Sequence, residues 1–185
     1  MFYLIASRYG GLGSGVFYDL GAVTCTQGTG KGVIAAAVLH RFQQCKGIEI
    51  LKSLHQISEE MRGKYEEVMP GAVREHPELF ASTEVSFTLG SFFDISFSDA
   101  CCFFANSTCF SLDMMRQIAD LPIPTGSIAL TLTKNLPGPQ WLILESFRKN
   151  MSWGEATVYI HRRVDPSQLL QVKERFPSTT YWYLN

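Results

Sequence analysis

The stretch Gly15-Val-Phe-Tyr-Asp-Leu-Gly21, followed after a gap by Gly28-Thr-Gly-Lys-Gly32, decides the predicted fold. Its first half predicts a buried strand over residues 15–20, because Val, Phe and Tyr favour the pleated backbone. Its second half predicts a glycine turn that opens a helix over residues 28–43, since glycines allow positive φ and leave backbone accessible to a ligand. Such a strand, turn and helix form the first unit of a doubly wound α/β sheet, which binds ligands at the carboxyl ends of its strands.

The glycine turn is longer than this unit requires. Without Val23–Gln27 the chain would read Asp-Leu-Gly-Ala-Gly-Thr-Gly-Lys, which resembles the Asp-Leu-Gly-Ser-Gly-x-Gly motif that binds S-adenosylmethionine (SAM). A Walker phosphate loop does not fit, because Cys25 replaces its first glycine and Gly32 replaces its Ser or Thr. We therefore expect a SAM site that the insertion obstructs. Deleting Val23–Gln27 should leave thermal stability nearly unchanged and strengthen SAM binding about tenfold or more.

The rest of the chain alternates strands and helices. Pro70-Gly71 is expected to end the second helix, and Ser111 to cap the third. The last two predicted strands follow each other with only residues 148–155 between them, so one edge of the sheet is expected to be antiparallel. The pattern predicts an α/β fold with the Rossmann-like, mostly parallel seven-stranded sheet of class I methyltransferases. The further predicted strands are 45–50, 84–89, 100–105, 127–133, 141–147 and 156–162, and the further helices are 51–69 and 111–121.

Length and composition set further bounds. A chain of 185 residues suits one domain; we expect a short lead at 1–14, a methyltransferase domain at 15–163, and a C-terminal helix and tail at 164–185. A net charge of -1 provides no general attraction to nucleic acid or to an anionic membrane. The five cysteines show no metal-site spacing, and their odd number predicts reduced thiols in an intracellular protein.

Polar and aromatic residues follow the predicted strands, at the edge where this fold binds its ligand. Glu49 ends the second strand, where it either accepts both ribose hydroxyls of the cofactor or faces solvent. Phe92 follows the third strand and either packs on the adenine or belongs to the core. Asn106 follows the fourth strand and either holds the methyl-accepting nitrogen or caps the next helix. The predicted cofactor-binding residues are Asp19, Gly21, Gly28, Gly30, Glu49, Ser91, Phe92 and Asn106.

Taken together, these pieces resemble the Dot-one-like ("disruptor of telomeric silencing") histone lysine methyltransferases over about residues 15–163. The resemblance implies that Asn106, Trp153 and Tyr159 are catalytic and that the two aromatic residues line a channel for the substrate lysine. It also implies a histone substrate, within the nucleosome, and a nuclear location. The chain departs from the family at Ser91, where Asp is common. The resemblance is carried by Phe17–Gly21, Gly28–Lys31, Gly47–Glu49, Gly90–Phe92, Phe104–Asn106, Phe110, Met151–Trp153 and Tyr159–His161.

The sequence therefore predicts a SAM-dependent methyltransferase, with a histone lysine as its expected substrate. A lysine must lose its proton before it can accept a methyl group, which costs about 4 kcal/mol near neutral pH. A dry channel walled by Trp153, Tyr159 and Phe110 would disfavour the charged amine. Two alternatives stay open. One is an impaired SAM-fold binding module, and the other is an enzyme that methylates a small molecule or a nucleobase, with Asn106 holding the amino group.

Overall fold

The computed structural model describes residues 14–21, 29–151 and 154–167. The predictions for Val23–Gln27, Gly28 and Trp153, and for most of the lead and of the tail, lie outside these residues. The described chain contains seven strands, three α-helices and two short 3-10 turns. The strands are β1 (Val16–Leu20), β2 (Gln44–Glu49), β3 (Glu84–Leu89), β4 (Ala100–Ala105), β5 (Ile128–Leu132), β6 (Trp141–Met151) and β7 (Gly154–Arg163). The helices are α1 (Lys31–Leu39), α2 (Lys52–Glu75) and α3 (Leu112–Ala119), and the 3-10 turns are Phe92–Asp94 and Ser107–Cys109.

The strands form one sheet in the order β3-β2-β1-β4-β5-β7-β6. Strands β1 to β5 are parallel, whereas β7 pairs antiparallel with both β5 and β6. The predicted mostly parallel sheet with an antiparallel C-terminal hairpin is therefore confirmed. Buried side chains pack on both faces of the sheet. Phe17 belongs to the cluster that includes α1 and α2 residues, whereas Tyr18 and Phe103 belong to the cluster that includes α3 residues.

Helix α1 is shorter than the predicted 28–43. It begins after Gly30, whose left-handed backbone (φ 75°) sets the turn, and it ends at His40, whose backbone is extended. The chain then turns inward, so that the ring of Phe42 is buried and its centroid lies 5.4 Å from that of Phe17. Phe42 therefore fills the core without continuing the helix.

Helix α2 contradicts the prediction that Pro70-Gly71 would end it, because it continues to Glu75. Proline within a helix removes one backbone donor and disfavours the preceding turn. Here the added turn brings Ala72 and Val73 against the core, and this packing outweighs the local penalty. The amide of His76 closes the helix by donating to the Ala72 carbonyl at 2.8 Å.

The closing hairpin is longer than predicted. The described residues of 148–155, a segment expected to be a connection, are strand, and Met151 pairs with Gly154. The exposed stretch of β6 that begins at Arg148 lacks the alternating apolar pattern from which strands are predicted. Cross-strand contacts stabilise it instead, including an ion pair between Arg148 and Glu155 at 3.0 Å. Residues 154–157 of β7 extend past the end of β5, so the hairpin projects beyond the carboxyl edge of the sheet.

The cysteines correct the prediction of reduced thiols in one respect. Cys45, Cys101 and Cys102 are free, but Cys109 is disulfide-bonded. Sequence spacing does not reveal which side chains the fold brings together, so a pairing of this kind has no local signal. None of the described helices is long and apolar enough to cross a membrane.

Candidate cofactor and substrate site

A pocket of about 180 Å³ lies at the carboxyl edge of the sheet. It is formed by the turns that follow β1, β2 and β3, together with the start of α3. This is the edge at which doubly wound sheets bind their ligands. Three of the predicted cofactor residues line it, and most of its surface is apolar. Its lining residues are Gly21, Ile48, Ile50, Gly90, Ser91, Phe92, Phe93, Phe110 and Met114.

Close packing requires the two glycines at the start of α1. A Cβ at Gly30 would lie 2.6 Å from Cζ of Phe87, and the residue has a φ of 75°, which favours glycine. A Cβ at Gly32 would overlap the carboxylate of Asp19. This contact also explains why the turn differs from a Walker loop, because a Ser or Thr at residue 32 would displace Asp19.

Two carboxylates lie near the ends of neighbouring strands at this edge: Asp19 is the next-to-last residue of β1, and Glu49 is the last residue of β2. Burial, with a smaller contribution from repulsion by Glu49, raises the pKa of Asp19 to about 7. Glu49 is 2% exposed, and burial raises its pKa against the opposing effect of the Leu51 and Ile50 amides. Its Oε1 accepts a hydrogen bond from the Leu51 amide at 2.7 Å. The alternative of a solvent-facing Glu49 is therefore wrong.

The second oxygen of Glu49 has no such partner. In the described part of the chain, Glu49 Oε2 and Thr29 Oγ1 are the buried side-chain atoms that lack a hydrogen bond. Both lie where the sequence predicts cofactor contacts, the first at the end of β2 and the second in the glycine turn. Because buried polar atoms without partners are rare and destabilising, their coincidence fits a ligand with hydroxyl or amino donors. These residues therefore fit SAM, whose ribose and amino acid carry such groups.

Ser91 and Phe92 occupy the turn after β3. The Ser91 hydroxyl accepts a hydrogen bond from the Phe93 amide at 3.2 Å and so caps the 3-10 turn. Phe92 is 6% exposed, and its ring centroid lies 6.3 Å from that of Phe110. Phe92 belongs to the core and its surface also lines the pocket, so its contact with the adenine stays a prediction.

Asn106 follows β4 directly and does not cap helix α3. That cap is Ser111, as predicted, whose hydroxyl accepts from the Met114 amide at 3.1 Å. The Asn106 side chain makes no capping bond to the 3-10 turn either. Its Oδ1 instead accepts a hydrogen bond from the Thr108 hydroxyl at 3.0 Å, and that hydroxyl lies 3.1 Å from the one of Thr133.

The closing hairpin brings one more predicted residue to this edge. Tyr159 of β7 pairs with Thr131 of β5, and Thr131 pairs with Ala105 of β4. Asn106 is the residue after Ala105, so Tyr159 and Asn106 are offset by one residue along the strand direction. His161, two residues further along β7, is buried. Burial lowers its pKa to about 4, and its Nε2 accepts from the Leu136 amide at 3.1 Å. It is therefore a neutral core residue.

Several residues of this site were missed by the sequence analysis. The missed pocket residues are Phe93, in the 3-10 turn after β3, and Met114, in the first turn of α3. The positions of these elements were predicted, but the side chains that they direct into the pocket were not. Thr108 and Thr133 show no signal in the sequence, because isolated threonines are common and their contact depends on the pairing of β4 with β5. Lys134 is another such case. Its Nζ donates to the carbonyls of Phe110 and Thr108 and ties the turn after β5 to the turn after β4.

Comparisons with known proteins agree with this architecture. An RNA methyltransferase from Salinibacter ruber, crystallised with S-adenosyl-L-homocysteine, superposes with a TM-score of 0.54 at 19% identity, over 88% of this chain and 89% of that one. The rRNA methyltransferase AviRa from Streptomyces viridochromogenes gives 0.58 at 13% identity, over 90% and 84%. The tRNA methyltransferase TrmK from Bacillus subtilis gives 0.54 at 9% identity, over 96% and 69%.

No protein-family profile matches the chain, and a search of curated proteins finds no significant match. At the identities above, structural similarity establishes the fold alone. The fold is that of class I SAM-dependent methyltransferases.

Proposed function

We propose that the protein is a SAM-dependent methyltransferase that acts on the exocyclic amino nitrogen of a nucleobase in RNA. The observation that carries this proposal is the position of Asn106, directly after β4 and four residues before Phe110 of the apolar pocket. The unpaired Glu49 Oε2 and the glycine turn support the cofactor. The structural neighbours named as RNA methyltransferases support the substrate class.

The roles of the residues follow from their chemistry. Glu49 would accept the ribose hydroxyls, and the apolar surfaces of Phe92 and Phe110 would enclose the adenine. Asp19, close to Glu49, would attract the cationic part of the cofactor. When bound, SAM supplies an electrophilic methyl group. Since displacement of this kind depends chiefly on alignment, the main task of the protein is to hold the acceptor nitrogen in line.

An amino nucleobase suits this site better than a lysine. The amino group of adenine or cytosine is uncharged at neutral pH, so no proton must be removed before attack. Asn106 Oδ1 would accept one amino N–H, the nitrogen would form its bond to the methyl carbon as the carbon–sulfur bond breaks, and the surplus proton would pass to water. A lysine would first have to lose a proton at about 4 kcal/mol.

The histone-lysine prediction remains the second candidate. The register of Tyr159 near the level of Asn106 favours it, whereas Trp153, the other wall of the expected lysine channel, lies outside the described residues. The two candidates differ in the product, because one places the methyl group on RNA and the other on a histone side chain.

The deciding experiment incubates the protein with methyl-labelled SAM and, in parallel, with a random-sequence RNA pool, free nucleosides, core histones and nucleosomes. We expect label in the RNA, recovered after digestion as an adenosine or cytidine methylated on its amino nitrogen and absent with Asn106→Ala. Label in histone lysine would overturn the nucleobase proposal in favour of the second candidate. SAM binding without transfer to any of the four would identify an impaired binding module.

A further inference from the structure

We infer that Thr133 and Thr108 are positioning residues that fix the orientation of the Asn106 amide and thereby select an amino-bearing base over a keto-bearing one. The inference rests on the proposed function and deepens it, since it names the residues that orient Asn106 towards the amino group of the base. It starts from three side chains that come from two turns and meet at the carboxyl edge of β4 and β5.

The direction of the hydrogen bonds in this chain can be assigned. A threonine hydroxyl carries one proton, and the Thr108 proton is donated to Asn106 Oδ1 at 3.0 Å. In the 3.1 Å hydrogen bond between the two threonine hydroxyls, Thr133 must therefore be the donor and Thr108 the acceptor. Hydrogen bonds aligned in this way strengthen one another. The chain runs from Thr133 through Thr108 to the amide oxygen of Asn106.

The backbone of Thr133 indicates that this arrangement is imposed. Thr133 has a φ of 70°, and it is the only residue other than glycine with positive φ in the described part of the chain. A β-branched residue is strongly disfavoured there, and such strain concentrates at functional sites. Two backbone hydrogen bonds stabilise this conformation. The Thr133 amide donates to the Thr157 carbonyl at 2.7 Å, and the Lys134 amide donates to the Leu132 carbonyl at 2.8 Å. Glycine would fit this turn better, but glycine has no hydroxyl.

Fixing the amide of Asn106 has a chemical consequence. With Oδ1 held next to Thr108, the second lone pair of this oxygen can accept an N–H of a substrate amino group. An amide that rotated freely could equally well present its NH₂ group to the carbonyl of uracil or guanine. Holding the amide in one orientation therefore favours exocyclic amino groups, which donate, over keto oxygens, which accept, and it disfavours uracil, which has no amino group.

The test compares Thr133→Gly with Thr133→Ser, and Thr108→Val with Thr108→Ser. Thr133→Gly and Thr108→Val remove a hydroxyl, and the two serine variants keep it. We expect Thr133→Gly to lower kcat about tenfold or more, equivalent to about 1.4 kcal/mol in the barrier, while the SAM Kd stays within about twofold and the melting temperature is unchanged or higher. Both serine variants should retain near wild-type kcat. A loss of activity combined with equal or greater stability is not expected of a merely structural residue.

A second readout does not depend on turnover. The side-chain NH₂ signals of Asn106, assigned by their loss in Asn106→Ala, should report a rigid amide in the wild type and a more mobile one in Thr133→Gly. Equal mobility in both proteins, or an unchanged kcat in Thr133→Gly, would overturn the inference. Methylation found on uracil would overturn it as well. If the wild type transfers no methyl group to RNA, the proposed function fails, and the mobility comparison still decides the positioning role.

Discussion

The carboxylate of Asp19 lies against the backbone of Gly32, at the position where any other residue would place its Cβ. This contact joins the end of β1 to the first turn of α1 and holds the carboxylate at the predicted cofactor edge. The same glycine stands where a Walker loop has Ser or Thr, so the observed position of Asp19 is incompatible with a Walker loop at this turn.

We expect Gly32→Ala to weaken SAM binding and to lower the melting temperature, because the added methyl group must displace Asp19. Alanine is otherwise favoured over glycine within a helix by about 1 kcal/mol. The matched control is Gly63→Ala in α2, where an added Cβ has nothing within 4 Å. That variant should be more stable than the wild type and bind SAM equally well. If Gly32→Ala behaved like the control, Asp19 would not need its observed position.

The stability of the ligand-free protein should depend on Asp19. Its pKa rises from 3.8 in the unfolded chain to about 7 in the fold, so the folded state favours the protonated carboxyl. This contribution is fully present below pH 3.8 and is lost as the pH rises towards 7. Asp19→Asn should therefore raise the free energy of unfolding at pH 8 by on the order of 2–4 kcal/mol and change it little at pH 3.5. Denaturant titrations at both pH values measure this, and an equal effect at both would contradict it.

His161 should show the opposite dependence. Burial lowers its pKa from 6.5 to about 4, so the stability that depends on the neutral ring is present above pH 6.5 and is lost as the pH falls towards 4. The full loss corresponds to about 3 kcal/mol. His161→Gln, which keeps an acceptor for the Leu136 amide, should be less stable at pH 7 but should lose less stability between pH 6.5 and 4. A pH dependence identical to that of the wild type would show that another group titrates in this range.

Asn106 should be needed for transfer and not for cofactor binding. Asn106→Ala should lose most methyl transfer to RNA, by about 10²-fold or more if the amide aligns the acceptor, while its SAM affinity stays near that of the wild type. Asn150→Ala, an exposed position on β6, is the control. Steady-state kinetics and a SAM titration of each variant separate the two properties. Joint loss of transfer and SAM binding in Asn106→Ala would instead assign it a structural role at the end of β4.

The fold was predictable because its signals are local. The glycine turn after a buried strand, the apolar periodicity of the helices and the absence of a helix between the last two strands determine the sheet. The end of α2 was not predictable, because packing of Ala72 and Val73 outweighs the local effect of Pro70. The length of the hairpin was missed for a related reason, since cross-strand contacts between polar residues leave no pattern along one strand.

The candidate site was predictable to the extent that it follows strand ends. Glu49, Ser91, Phe92 and Asn106 could be predicted as candidates because each ends or follows a strand, and in a parallel sheet these positions meet at one edge. The contact of Thr133 with Thr108 depends on the pairing of two strands and on a φ that no residue type favours except glycine. Such a contact can be found only in three dimensions.

The central claim is that the carboxyl edge of this sheet binds SAM through Glu49. Isothermal titration of SAM into the wild type, Glu49→Gln and the exposed control Glu60→Gln tests it most directly. We expect saturable binding to the wild type and to Glu60→Gln. Binding to Glu49→Gln should be about tenfold weaker or more, since a charge-assisted hydrogen bond contributes about 1.5–3 kcal/mol. A wild type that does not bind SAM, or a Glu49→Gln variant that binds it as tightly as the control, would contradict the claim.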